Sequence, residues 1–318
     1  MISSEPLNRG AQNTQPKPSM EVLIDWLSFT LPDQKALDEV LSLNGFSILE
    51  RVKYQWGKFG YKAQRRCGNA VILSDGMSGM GIHVEMTGQA CREFEMKSGQ
   101  WHKLISKIFI VGGHFTRLDF AIDDREGHFS IAEAQDKMQR REVRSRFKKG
   151  QETTSYNFSD AREKDGKTLY FGSPKSAVQI RIYDKAVEQN VGGVWIRTEI
   201  QCRHERANTL ANYILESDNI GSIISNVLKS YLNFIEPATD SNKARWPVSS
   251  WWNEFLGTVE RLKLKFIDVR QSVMKVPEWL CTKSTNIIAP ILNTNRRYSG
   301  SKETELRPPD VVMINLKV

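Results

Sequence analysis

Three stretches of this 318-residue chain alternate apolar and polar residues with a period of two, the signature of strands whose one face is buried and whose other face is not. In the run from Arg117 to Asp123, Leu118, Phe120 and Ile122 fall on one side. Arg117, Asp119 and Asp123 fall on the other, with small Ala121 leaving room between the two acids. From Trp195 to Arg203 the apolar side carries Ile196 and Ile200, and the polar side carries Arg197, Glu199, Gln201 and Arg203. Between them in sequence, Val178, Ile180 and Ile182 alternate with Gln179, Arg181 and Tyr183. Carboxylate oxygens suit hard divalent cations, so Asp119, Asp123 and Glu199 are candidate ligands for magnesium or manganese. The competing reading is a ladder of cross-strand ion pairs, each worth a few tenths to about 1 kcal/mol. The residues by themselves leave both open.

Tyrosine is an ordinary strand residue, and packing is its commonest role. Tyr183 differs in its company, with Arg181 two residues before it and Lys185 two after. Cations stabilise a phenolate, whose ordinary pKa is near 10. A phenol that acts as a nucleophile needs such help, which makes Tyr183 a candidate nucleophile and Arg181 and Lys185 its candidate supports. His83 and Glu85 alternate onto one face of a short strand ending at Met86, and Glu85 is a further candidate ligand. The remaining histidines, at 102, 114, 128 and 204, lack the spacing of a histidine-built zinc site. The four cysteines are scattered with no Cys-x-x-Cys pair, against a zinc ribbon or a disulfide framework. No glycine cluster has the form of a phosphate-binding or dinucleotide loop.

A net charge of +8 favours a polyanionic partner, since neutralising phosphates releases condensed counterions. The densest cluster is Arg140, Arg141, Arg144, Arg146, Lys148 and Lys149. It reads either as a solvated helix end or as a phosphate-contacting patch. Arg117 and Arg197, on the polar strand faces, are further candidate DNA contacts. No apolar run approaches the roughly 20 residues that span a bilayer, and the N-terminus has no signal-peptide core, so a cytoplasmic location is expected.

Residues 1–19 are expected to form a disordered tail. Strands are expected over 21–31, near Tyr54–Arg65, 70–73, 81–86, 115–123, near 154–158, 168–171, 177–184 and 194–202. Helices are expected over 33–43, 93–97, 101–110, 130 to about 144, 204–216, 220–234, 249–263 and 277–292. The fold class is therefore α+β: a largely antiparallel sheet with flanking helices, followed by a helical C-terminal region. The expected boundaries are 20–215 for the first domain and 216–318 for the helical region with its loose basic tail.

The blocks HVEMTGQACREFE, FTRLDFAIDD, TLYFGSPKSAVQIRIYDKAVEQ and WIRTEIQCR, in that order, resemble the replication initiation factor (Rep_trans) family of rolling-circle initiators from plasmids, filamentous phages and conjugative transposons. The resemblance runs from about Met20 to Arg203. It implies a rearranged relative of the histidine-rich nickase fold, with acids largely replacing the histidine pair. It also implies a magnesium- or manganese-dependent enzyme that nicks and rejoins an origin strand. Tyr183, in the IRIYDK block, would be the nucleophile and form a covalent 5′-phosphotyrosine. Residues 20–215 would be the nicking domain, single-stranded origin DNA the substrate, and host helicase and polymerase further partners. A non-covalent nuclease, a non-enzymatic origin-binding protein or repressor, and a mobile-element relaxase are the competing readings.

Overall fold

The structure is a computed structural model describing residues 18–264, apart from Arg51, Gln55, 157–165 and Asp218. All of these fall in the first of two compact units, Met1–Ile267. The chain opens with β1 (Met20–Leu31) and α1 (Gln34–Leu41), whose first turn is capped by Asp33 accepting from the Ala36 amide at 2.8 Å. Then come β2 (Ala63–Cys67), β3 (Ala70–Ser74), β4 (Ile82–Met86), α2 (Gly88–Met96) and α3 (Trp101–Ile110). The middle of the chain forms β5 (His114–Asp124), α4 (Ile131–Gln139), β6 (Val143–Ser145), β7 (Gly150–Ser155) and β8 (Gly166–Phe171). It continues through β9 (Val178–Asp184), α5 (Lys185–Glu188) and β10 (Ile196–Arg203). Helices α6 (Glu205–Glu216) and α7 (Ile220–Tyr231), strand β11 (Leu232–Phe234) and α8 (Ser250–Glu260) complete it.

Nine strands make one sheet in the order β2-β3-β4-β1-β5-β10-β9-β8-β7, with every neighbouring pair antiparallel. Strands β11 and β6 pair separately. The fold is the α+β class expected from the alternating strands. One sheet face carries Phe29, Leu118, Phe120, Ile180 and Ile200, all fully buried with helix residues such as Trp101, Ile105 and Ile108. Ile224, Leu228, Trp252 and Phe255 of α7 and α8 belong to the same cluster. The polar residues of the same strands are left on the opposite face.

Several boundaries differ from the sequence pattern. The helix begun by the Ser130–Glu133 capping box stops at Gln139, well short of Arg144. Arg141 takes a left-handed φ of 57°, and the amides of Arg141 and Glu142 close back on the carbonyls of Met138 and Lys137. That is a Schellman stop built without the usual glycine. The helix expected to reach Phe234 stops at Tyr231, because Leu232–Phe234 pair with β6. The aromatic stretch expected as a strand from Tyr54 pairs only through the Tyr54–Gln64 bridge, and the strand proper begins at Ala63. Helix α2 begins at Gly88, not Glu93, and β7 ends at Ser155. The expected helix over 277–292, the tail before Pro18 and the basic C-terminal tail lie outside the described residues.

Candidate active site

Register decides which side chains meet on the polar face. Arg197 stands between Asp123 and Tyr183, Glu199 between Ala121 and Arg181, and Gln201 between Asp119 and Gln179. Asp119 and Glu199 are thus diagonal neighbours on adjacent strands, with Cα atoms on the order of 7–8 Å apart. They share a cleft of about 290 Å³, lined also by Asp25, Trp26, Arg117, Tyr170 and Arg181.

Tyr183 is 5 % exposed, at the base of this face. Its hydroxyl donates to Glu199 Oε1 at 2.7 Å, and Arg181 Nε donates to the other carboxylate oxygen. Arg181 and Lys185 do lie against the phenol ring, at 5.0 and 5.6 Å from its centre. Arg181 acts in the expected direction on the phenol, but its effect is outweighed. Burial and the charge of Glu199 hold the Tyr183 pKa well above its usual value, overriding Arg197 and Arg181. Lys185 is paired with Glu188.

Asp119 is held by Arg117, with Nε at 2.9 Å and Nη2 at 2.5 Å from Oδ2, and by Gln201 at 3.2 Å. Burial nevertheless pushes its carboxyl up to about 6. Arg117 also covers the Trp26 ring at 4.1 Å, a cation–π contact. Asp123 has a different environment. It is 1 % exposed and grips Arg197 through two hydrogen bonds of 2.6 and 2.8 Å. Glu85 pairs with Lys58, two strands away in a row with Ser28 and Arg117. His83 bonds Thr30 at 3.0 Å and stacks on Tyr61. Neither Asp123 nor Glu85 lines the cleft, whereas Asp119 and Glu199 do.

The basic segment is divided in use. Arg144 donates to the carbonyls of Ala244 and Trp246 at 2.9 and 3.2 Å, clamping a distant loop. Arg146 lies over the Tyr231 ring, and Arg140 pairs with Asp136. Arg141, Lys148 and Lys149 are exposed.

Asp25 is the residue that sequence reasoning missed. The β1–β5 register runs Ile24–Phe120 and then Trp26–Asp119, so Asp25 is the extra residue of a bulge, a device that re-aims a side chain. The signal was a change in the phase of alternation, from Val22 and Ile24 to Leu27, Phe29 and Leu31. Burial raises the Asp25 pKa against the pull of Arg197, and Glu199 raises it further. Glu199 acts in the same direction on Asp119, so three carboxylates crowd one cleft.

A family model described as replication initiation factor matches residues 113–307. The chain belongs to this family. A second model, described as the N-terminal domain of rolling circle replication initiation proteins, matches residues 21–107. The regions matched by the two models meet at the cleft, since Asp25 and Trp26 come from one and Asp119 and Glu199 from the other. A curated relative, "Putative DNA relaxase NicK" of Bacillus subtilis (strain 168), is 31 % identical over 274 residues, covering 81 % of this chain and 77 % of the relative. A solved structure of a rolling circle replication initiator protein from Geobacillus stearothermophilus is 35 % identical. It superposes with a TM-score of 0.70 over 78 % of this chain and 99 % of its own. Among the described residues no helix is long and apolar enough to cross a membrane.

Proposed function

We propose that this chain nicks and rejoins one strand of origin DNA, with Tyr183 as the nucleophile. The observation that carries the reading is the Tyr183 hydroxyl bonded to Glu199 beside a cleft of acids and arginines. A buried phenol with a raised pKa does not ionise by itself at neutral pH, so its proton must pass to a base as it attacks. Glu199 Oε1 is within reach. The Tyr183 oxygen then bonds the scissile phosphorus, the bond from phosphorus to the 3′ oxygen breaks, and that oxygen takes up a proton. The ester energy stays in the phosphotyrosine, so the reverse reaction rejoins the strand without ATP. The free 3′-hydroxyl is left for a host polymerase, with a helicase to open the duplex ahead of it. Arg181 and Arg117 line the cleft where the phosphate's charge would sit.

The donor set fits a hard divalent cation. Asp25, Asp119 and Glu199 present carboxylate oxygens to one cleft, where Glu199 raises the pKa of both aspartates, a crowding that magnesium or manganese would relieve. Each acid has an arginine partner, and no group of three or more acidic, histidine or cysteine side chains is close enough to hold an ion among the described residues. Binding would therefore need these side chains to shift. The ion would supply Lewis-acid polarisation of the scissile phosphate.

The test is incubation of the full chain with labelled single-stranded origin DNA and manganese, followed by denaturing electrophoresis. A protein–DNA adduct is expected from the wild type and none from Tyr183→Phe, which should retain its affinity for the DNA. Nicking by that variant, or nicking without an adduct, overturns the covalent reading in favour of a plain nuclease. Binding without any cleavage leaves an origin-binding protein.

A further inference from the structure

The polar face does not end at the cleft. From β5 it runs through β1 and β4 to β3 and β2, along the row His114–Thr30–His83–Leu73–Gln64, and Tyr54 joins that row through its bridge to Gln64. Residues paired directly across antiparallel strands point to the same side, and the adjoining row Glu85–Ser28–Arg117 lies two residues from His83 at one end and from Asp119 at the other, so Tyr54 and His83 share the face of Asp119. His83 lies two strands over and about four residues along from Asp119, roughly 16 Å at ordinary strand spacing and rise.

At this outer end the structure leaves large rings uncovered. Trp56 is 68 % and Phe59 67 % exposed. Both are attached to the face: the Trp56 ring is 5.6 Å from Tyr54, and Phe59 meets His83 edge-on at 6.3 Å. Lys58 lies 5.1 Å from the Phe59 ring. The charge is equally one-sided. Between residues 51 and 74 the sequence has six Lys or Arg residues (51, 53, 58, 62, 65 and 66) and no Asp or Glu. Asp75 and Glu85 pair with Lys53 and Lys58, while Lys62 and Arg66 are exposed on the surface.

Exposed aromatic rings interleaved with cations, continuous with a nicking cleft, match one class of ligand. Single-stranded DNA offers unstacked base faces to the rings and phosphates to the cations. A duplex hides its base faces, and an apolar protein partner would gain nothing from exposed cations such as Lys62 and Arg66. We infer that Trp56 and Phe59 are a base-stacking platform that holds the single strand a few nucleotides from the scissile phosphate. The inference rests on the nicking reading for its substrate. Its function would be to fix the register of the strand, so that one phosphate and not its neighbour reaches Tyr183.

The test measures binding by fluorescence anisotropy without divalent cation, so that no turnover intervenes. The probes are a labelled single-stranded origin oligonucleotide, the same strand with consecutive abasic positions, and the blunt duplex. Trp56→Ala and Phe59→Ala should each weaken single-strand binding roughly fivefold or more, and Trp56→Phe should restore most of the loss. Duplex affinity should change less than about twofold, as expected where phosphates alone are contacted. Abasic positions over the platform should weaken the wild type but add nothing to the double variant. Unchanged single-strand affinity in the double variant overturns the platform, as does an equal loss on the duplex or the abasic strand. A wild type that binds no single-stranded DNA would sink the nicking reading itself. A wild type that binds single-stranded DNA alongside a double variant of equal affinity removes the platform alone.

Discussion

The centre and the outer end of the same sheet face are built on opposite principles. At the centre, Asp119, Asp123 and Glu199 are buried, and each has its own arginine. At the outer end, Trp56 and Phe59 stand in solvent amid cations that outnumber the acids. The centre resembles the preorganised interior that chemistry requires, where charges are strong because water is excluded and are fixed before the substrate arrives. The outer end resembles a binding surface, whose rings are stable enough when free and gain only when something covers them. One sheet supports both because strand pairing carries the polar face from one to the other.

Stability should separate the two regions most sharply. Arg197 is nearly buried and holds Asp123, which is buried almost completely, together with Asp25. Breaking such a pair from one side leaves an uncompensated buried charge, and Arg197→Ala should cost about 3–5 kcal/mol. Trp56→Ala, at an exposed position, should stay within about 0.5 kcal/mol. Urea unfolding of both variants at neutral pH makes the comparison. Equal losses would mean that the outer end is structural and the contrast is wrong.

A smaller effect should come from the base of the outer end. Glu93 closes the loop carrying both rings: its carboxylate accepts from Ser47 before them and from Asn69 after them, the latter at 2.7 and 2.8 Å, and pairs with Lys97. Burial would raise its pKa, but the hydrogen bonds from Ser47, Lys97 and Asn69 prevail and hold it at about 2. A depressed carboxylate contributes stability above its unfolded pKa and loses it as pH falls through the folded value. The contribution, about 2 kcal/mol after allowance for partial exposure, should be complete above about pH 4.5 and vanish towards pH 2. Glu93→Gln should flatten the stability profile across that window in urea titrations. A variant that keeps the wild-type slope there would show that the loop is not closed through Glu93.

How much of this was legible beforehand follows from where the information lies. Strands β5, β9 and β10 were readable because each buries one side, which writes a period of two into its own residues. Helices α1 and α3 were readable for the analogous reason. The fact that Glu199 faces Arg181, with Tyr183 in reach, is a matter of register between strands, and neither strand's sequence contains it. Hence the cations flanking Tyr183 were visible and the opposing Glu199 was not. Asp25 left a trace in its own strand, but a change of alternation identifies a bulge only once the partner strand is known. The left-handed Arg141 escaped because the residue that usually marks such a stop, glycine, is absent. The aromatic stretch from Tyr54 was mistaken for a strand because rings favour strands, yet here they are placed for something outside the chain.

The smallest expected effect concerns the basic segment, which offers a control for the contrast between fixed and available charge. Arg144 is spent on the carbonyls of Ala244 and Trp246, as the central arginines are spent on their acids. Lys148 and Lys149 are exposed, like the cations of the outer end. If exposed cations meet phosphates, Lys148→Ala with Lys149→Ala should lower the slope of log K against log[salt] by about 1.4–1.8, with similar losses on any DNA sequence. Arg144→Ala should leave that slope unchanged and instead cost about 1–3 kcal/mol of stability, through the two carbonyls it strands. Nicking at saturating DNA should survive both changes, since none of these residues lines the cleft. A salt series on the two variants and the wild type decides the matter. A lowered slope for Arg144→Ala with none for the lysine pair would reverse the assignment, placing DNA at the clamp and leaving the exposed lysines as ordinary surface.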